Sequence, residues 1–454
     1  MPKPPDGRFA WDILWVGLLT LYAFSGAQAV PFHGDESMQI FMSRDYAYQF
    51  IQNDWSKVRF DPTLDRFHPE QGLRLMNGTV NKYSIGLAWE LAGLTIDDLN
   101  PPWLWDQPYT YNVENNFYPR EAVLAAARVP STLFLIASVI VLFFAAKSFG
   151  GRPVAYMATL YYALNPAVLL NGRRAMMEGS LLFGALLCLL AGIWLVQSRG
   201  WRAWAAALLL ALAAGFAVAA KHTNTISVAA VFVGVALHAV IRWRQIGVRG
   251  LVLQSARLLM AGLLALGLFL ALNPAWWGDP VSRARDVLDL RVGILNGQRA
   301  IWGDYATPLG QFVGLYRQVF VGAPMFFEAD NWREPLAESI ASYQRTVFAG
   351  VNPPGVSVAL FALFIIGILA SVNLLKLPDI QPDARIVVIA WALITVVFTW
   401  LATPIEWQRY YLLVFPVVAL LAPLGLVWLY RLYASDAAAH SPLYRRGSVK
   451  VNRE

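Results

Sequence analysis

Charge and cysteine are both scarce in this chain. Only 14% of its 454 residues are charged while 57% are hydrophobic, a ratio that cannot clothe an ordinary water-soluble surface. The single cysteine, Cys188, excludes an intrachain disulfide and a cysteine-built metal site, and its place inside an apolar run reads as inert packing. The five histidines show no metal-ligand spacing, and His33 beside Asp35 is too little to place an ion, so no metal and no other cofactor is predicted. There is no glycine-rich phosphate loop and no dinucleotide fingerprint, which disfavours chemistry on a soluble nucleotide. The formal charge of +7 does not signal nucleic acid either, because the basic residues are scattered in short loops between apolar runs.

What the chain has in plenty is apolar runs of about 20 residues, the length that spans a hydrocarbon core of about 30 Å. They fall at 11–30, 122–147, 154–170, 176–197, 203–220, 226–241, 251–272, 356–375, 386–402 and 410–432. The prediction is an all-α polytopic membrane protein, a single integral membrane domain over 1–454 with about ten transmembrane helices. The positive-inside rule orients it: Lys3 and Arg8, Lys147 and Arg152, Arg199 and Arg202, Arg242, Arg244 and Arg249, Lys376 and Arg385, and the tail residues Arg445, Arg446, Lys450 and Arg453 all fall on one side. Both termini are therefore expected in the cytoplasm and the protein in the cell membrane. Ala27-Gln28-Ala29 after a basic start resembles a cleaved secretory signal, but the long apolar run and the further spans favour a retained first helix.

Two long outer loops result, at 31–120 and 273–352. In the first, 37–51 and 82–94 carry aromatic and aliphatic residues near helical spacing and read as amphipathic helices in the interface, or as helices of a small soluble subdomain. The second loop, with Tyr305, Tyr316, Glu328, Asp330 and Trp332, is the candidate lid or acceptor-binding region. Asn77-Gly78-Thr79 matches a glycosylation sequon and is taken as accidental.

Mixed-charge clusters gather at the outer ends of the spans, whereas the inner ends hold mostly plain basic residues. Ionisable groups there are costly unless paired or functional, so the one-sided collection points to a reaction centre facing outward. Directly after the first span, Asp35 and Glu36 lie in Pro31-Phe32-His33-Gly34-Asp35-Glu36-Ser37. They suit either a helix N-terminus or proton abstraction, with Asp35 as base and Glu36 tuning it. Arg174 and Glu178, four residues apart, suit a helical ion pair or a phosphate grip in which Arg174 binds and Glu178 orients. Lys221-His222 suits a snorkelling anchor or a phosphate contact, the lysine running against the positive-inside trend. Arg409 with Tyr410 carries the same two readings.

Order and sidedness together make these motifs a resemblance. The acidic pair after the first span, Arg128-Val129-Pro130-Ser131, Asn165-Pro166 running into Arg173-Arg174 and Glu178, Lys221, the 273–280 stretch Asn-Pro-Ala-Trp-Trp-Gly-Asp-Pro, and Arg409-Tyr410 resemble the GT-C superfamily of membrane glycosyltransferases. That superfamily includes the protein O-mannosyltransferases and the lipid A aminoarabinose transferase. The resemblance runs from about residue 11 to 430 and implies a polyprenyl-phosphate sugar donor, with inverting transfer to a hydroxyl of a protein, lipid or glycan acceptor. It implies Asp35 at the catalytic acidic position, Arg409 near the donor phosphate, and Glu178 where an aspartate is common. It also suggests Lys82 at the phosphate, although the prolines that follow such a lysine are absent here. Arg128 joins Glu178 and Tyr410 as a site-orienting residue. The resemblance includes relatives with a divalent metal; none is predicted here.

A transporter or flippase of lipid-linked sugars is the reading from another class. Transporters place broken helices and charges near the midplane, often in repeated halves, and neither feature is evident. A non-catalytic scaffold accounts for the interfacial aromatics but leaves the acidic pair and the one-sided cations unexplained.

Overall fold

The computed structural model describes residues 7–65, 68–352, 355–372 and 381–439. Lys3, Lys376, Arg445, Arg446, Lys450 and Arg453 lie outside them. The described residues are helical with no strand. Seven helices are long and apolar enough to cross a membrane: Glu121–Leu164, Glu178–Gln197, Trp201–Ala220, Asn224–Ile241, Trp243–Leu272, Pro382–Ala402 and Val414–Ala434. This is a multi-pass membrane protein. Two further apolar runs form the shorter or less apolar helices Gly7–Ser25 and Val356–Ser371.

Local chemistry explains where the helices break. Glu121–Leu164 holds two of the expected spans and bends at Gly151, whose φ of 81° only glycine adopts cheaply. The run at 154–170 stops at Leu164, because Pro166 cannot continue a helix and Asn165 caps a new one, accepting from the Ala167 and Val168 N–H groups. Packing is close where the sequence is small. A Cβ at Gly367 would stand 1.9 Å from the Leu421 carbonyl oxygen, and one at Gly425 2.1 Å from that of Leu363, so Val356–Ser371 and the last helix touch backbone to backbone.

Glu178–Gln197 is the central helix, with 78% of its apolar window buried, whereas Trp243–Leu272 has 11% buried and stands at the periphery. At one end of the bundle, Asp12 of the first helix accepts from Lys147, Arg152 and Tyr156 around the Gly151 turn at 2.6 to 3.2 Å. The first helix and that basic turn therefore share an end.

At the opposite end, Gly34–Met42 and Thr79–Leu91 appear as helices close to the two amphipathic segments. They are packed on more than one face: Gln39, Asp45 and Gln49 are buried along with Ile40 and Phe41, and Lys82 along with Ile85 and Trp89. The segment therefore forms a layer with its own core, joined by an aromatic cluster in which Trp332 of the second loop stacks on Trp105 with centroids 5.5 Å apart. Burying these rings gives the layer the apolar anchor that its polar composition otherwise lacks.

Candidate active site

The helix Gly34–Met42 starts at His33, and its capping fixes the carboxylates that follow. His33 Nδ1 accepts from the Asp35 N–H at 3.1 Å, and the Glu36 carboxylate accepts from the His33 N–H at 3.0 Å. With Nδ1 an acceptor, the ring proton sits on Nε2 and is donated to Glu328 at 2.5 Å. Burial lowers the proton affinity of His33 more than Glu328 raises it, so the ring stays neutral. Burial raises that of Glu328, but His33 and Arg174 more than offset this and hold the carboxyl below its usual range.

The two adjacent carboxylates then diverge. Glu36 is fully buried, accepts from Arg128 Nε at 2.8 Å and Nη2 at 2.9 Å, and also accepts from the Ala175 N–H at 2.9 Å. Burial pushes its carboxyl up, and the Arg128 guanidinium brings it below the ordinary value. Asp35 is 30% exposed, lines a cavity of about 190 Å3, and is hydrogen-bonded by Arg409. The Arg409 Nε lies 3.3 Å from Glu328, so one guanidinium stands between two carboxylates.

Asp35, Glu178, Lys221, Arg409 and Tyr410 all line this cavity. Glu178 opens the helix Glu178–Gln197 and Lys221 closes Trp201–Ala220, each at the terminus its charge suits. They meet at 2.6 Å, and Glu178 Oε2 is buried without a partner. The helical pair of Arg174 with Glu178 does not form: Arg174 precedes the helix and donates to the carbonyls of Pro31 and Phe326 at 3.1 and 2.8 Å.

The other expected site residues lie behind the wall. Arg174 is 1% exposed and its donors are taken by those carbonyls, so it braces the loops instead of reaching the cavity. Lys82 is buried against Asp45 at 2.6 Å. Arg128 is consumed by Glu36. The ring nitrogens of His222 are buried without partners between Phe269 and Trp276, and burial depresses its pKa to about 4.

Arg291 and Gln298, on the second-loop helix Pro280–Trp302, line the cavity and were missed in the sequence reading. The signal was there in the spacing of Arg291, Ile294 and Gln298, which puts the three on one helical face. Arg291 donates to the Met76 carbonyl at 3.2 Å, and Gln298 accepts from the Tyr410 hydroxyl at 3.3 Å. Five of the nine methionines, Met38, Met42, Met76, Met176 and Met177, form much of the apolar lining. Of the second-loop residues, Glu328 and Trp332 reach His33, Tyr305 bonds Tyr411 at 2.9 Å, Tyr316 stacks on Phe320, and Asp330 pairs at the surface with Arg333. Among the described residues no three His, Cys, Asp or Glu side chains converge, and Arg409 fills the space between Asp35 and Glu328.

The family model for dolichyl-phosphate-mannose-protein mannosyltransferase matches residues 88–277. Over 94% of the chain the structure resembles the apo oligosaccharyltransferase of Archaeoglobus fulgidus, with a TM-score of 0.54 and 14% identity. The fold is of the GT-C type. The archaeal oligosaccharyltransferase AglB of that organism, in complex with an inhibitory peptide and a dolichol-phosphate, also matches over 98% of this chain with a TM-score of 0.54 and 11% identity. Apo ArnT from Cupriavidus metallidurans matches over 99% of it with a TM-score of 0.50 and 15% identity. This chain spans about half of the archaeal proteins, 52% and 53%, and 66% of ArnT. No curated protein sequence matches it.

Proposed function

We propose that this chain is an inverting glycosyltransferase that moves a sugar from a polyprenyl-phosphate carrier to an acceptor hydroxyl at the outer membrane face. The observation that carries the reading is one cavity at the end of the bundle where the partly exposed Asp35 faces Lys221, Arg291 and Arg409 across a methionine-rich wall. A lipid-phosphate sugar needs those parts together: cations for the phosphate, an apolar approach for the prenyl chain, and a base for the acceptor.

In the reaction, the acceptor hydroxyl gives its proton to the Asp35 carboxylate as its oxygen bonds to the anomeric carbon. The bond from that carbon to the phosphate oxygen breaks, and its electron pair leaves with the polyprenyl phosphate. The leaving group gains one negative charge, so Lys221, Arg291 and Arg409 hold the transition state more strongly than the ground state. Arg409 couples the two halves, since a donor phosphate competes for the guanidinium that otherwise engages Asp35. Glu328 and His33 then position Arg409 from behind. No resident metal is part of this proposal; the cation between the carboxylates is Arg409. The donor sugar is a hexose or a pentose, and the acceptor hydroxyl belongs to a protein, a lipid or a glycan.

The test is transfer of radiolabelled sugar from a panel of polyprenyl-phosphate sugars by the purified chain and its Asp35→Asn variant. Transfer by the parent with a loss of about 100-fold or more in the variant is the expected result. Equal transfer by the two would remove Asp35 as base, and parent protein that flips lipid-linked sugars in vesicles without transferring them would favour a transporter.

A further inference from the structure

The central helix begins at Glu178 in the candidate active site and ends at Gln197, about 30 Å away at 1.5 Å per residue. At that far end lies a second cavity of about 590 Å3, which no part of the proposed transfer uses. Its polar lining includes Arg199, His238, Arg242, Gln254, Arg257 and Asp383. Asp383 is already taken, lying 3.1 Å from His238 and 3.3 Å from Arg242. Among the described residues no carboxylate pairs with Arg199 or Arg257.

Arg257 is the unusual member. It lies well inside the apolar helix Trp243–Leu272, about 15 Å along the axis from the bend at Gly247, on the most lipid-exposed span of the bundle. A guanidinium at such a place is costly without a counter-charge. Its contacts are the Gln254 carbonyl oxygen at 3.4 Å and the face of Trp204 at 5.3 Å, and its Nε is buried with no partner. Because Gln254 Oε1 faces Arg257, the amide nitrogen of Gln254 faces elsewhere. Gln254 is only 7% exposed, and that nitrogen too has no partner.

Both unsatisfied groups are therefore donors, in a cavity whose one carboxylate is engaged. A buried donor without an acceptor is costly, and the complement is a ligand rich in anionic oxygen. Trp201, Trp204 and Trp243 lie partly exposed around this end of the bundle, the residue type that settles at headgroup depth. We propose that this cavity is a phosphate site, with Arg257 and Gln254 as its floor and Arg199 at its mouth, and that it takes a phosphate group presented by an anionic phospholipid or by soluble phosphate.

The experiment uses the full chain in detergent, read by native mass spectrometry and thermal unfolding with phosphatidylglycerol, phosphatidylcholine or inorganic phosphate. The parent should retain one phosphatidylglycerol with at least tenfold preference over phosphatidylcholine, and Arg257→Gln and Gln254→Leu should reduce that preference below threefold. Arg199→Gln, at an exposed position, gives a third reading if either buried substitution fails to fold. Displacement of the lipid by millimolar inorganic phosphate, with a raised melting temperature that Arg257→Gln abolishes, would assign the site to soluble phosphate. Retention of the lipid under those conditions would assign it to the headgroup. A parent with no preference and no phosphate-dependent melting shift, or folded variants as selective as the parent, would overturn the proposal. None of these readouts involves sugar transfer, so they stand whether or not the transfer reading does.

Discussion

The two ends of the bundle handle charge in opposite ways. Around the candidate active site four cations meet carboxylates: Arg128 with Glu36, Lys82 with Asp45, Lys221 with Glu178, Arg409 with Asp35 and Glu328. At the far end Arg257 and Gln254 keep buried donors with no acceptor. Charge pairs within the chain hold their geometry when the cavity is empty, as a catalytic constellation requires. An open set of donors holds it poorly, and is complete only when something else brings the oxygen atoms. The same residue types thus sit in different settings at the two ends, decided by whether the acceptor belongs to the chain.

The sharpest way to break the comparison at the active-site end is to set Asp35 against its neighbour. Asp35→Asn should cost about 100- to 10,000-fold in transfer with an unchanged melting temperature, because Asp35 is partly exposed and faces the cavity. Glu36→Gln should do the reverse in kind, leaving Arg128 buried and unpaired at a cost of about 3–5 kcal/mol in stability, read as a lowered melting temperature. If Glu36→Gln proves stable but inactive, the division between the two carboxylates is wrong. Arg291→Gln is expected to be milder: a rise of about tenfold in KM for the lipid donor with kcat less affected, as suits one of three phosphate contacts. The smallest effect concerns acid. His222 is buried neutral with a pKa of about 4, below the unfolded value, so the unfolded chain binds the extra proton. Stability should fall as pH drops from about 6.5 to 4, by at most about 1.4 kcal/mol per pH unit. His222→Phe should flatten that part of the melting-temperature profile; an unchanged slope would mean that the ring is solvated.

Which end of which span a residue occupies was legible in the sequence; which way its side chain points was not. Spacing and the positive-inside pattern place Asp35, Glu178, Lys221, Arg409 and Tyr410 at one end, and these five do share a cavity. The same pattern puts Glu36, Lys82, Arg128, Arg174 and His222 there, and the structure turns them into the wall. Nothing local separates Asp35 from Glu36: the difference is made by Arg128, 92 residues on, whose fork takes Glu36 alone. Likewise Asp45, within the expected helical segment 37–51, absorbs Lys82 and Arg74. Helix ends were harder to read where proline and glycine interrupt apolar runs, as at Gly151 and Pro166, since apolar character continues through both breaks.

The methionine wall sets a condition on how the protein must live. Thioether side chains adapt their shape to a flexible apolar ligand, but each is one oxygen atom away from a polar sulfoxide. With five of them around one cavity, oxidation there would put polar sulfoxides into the apolar lining.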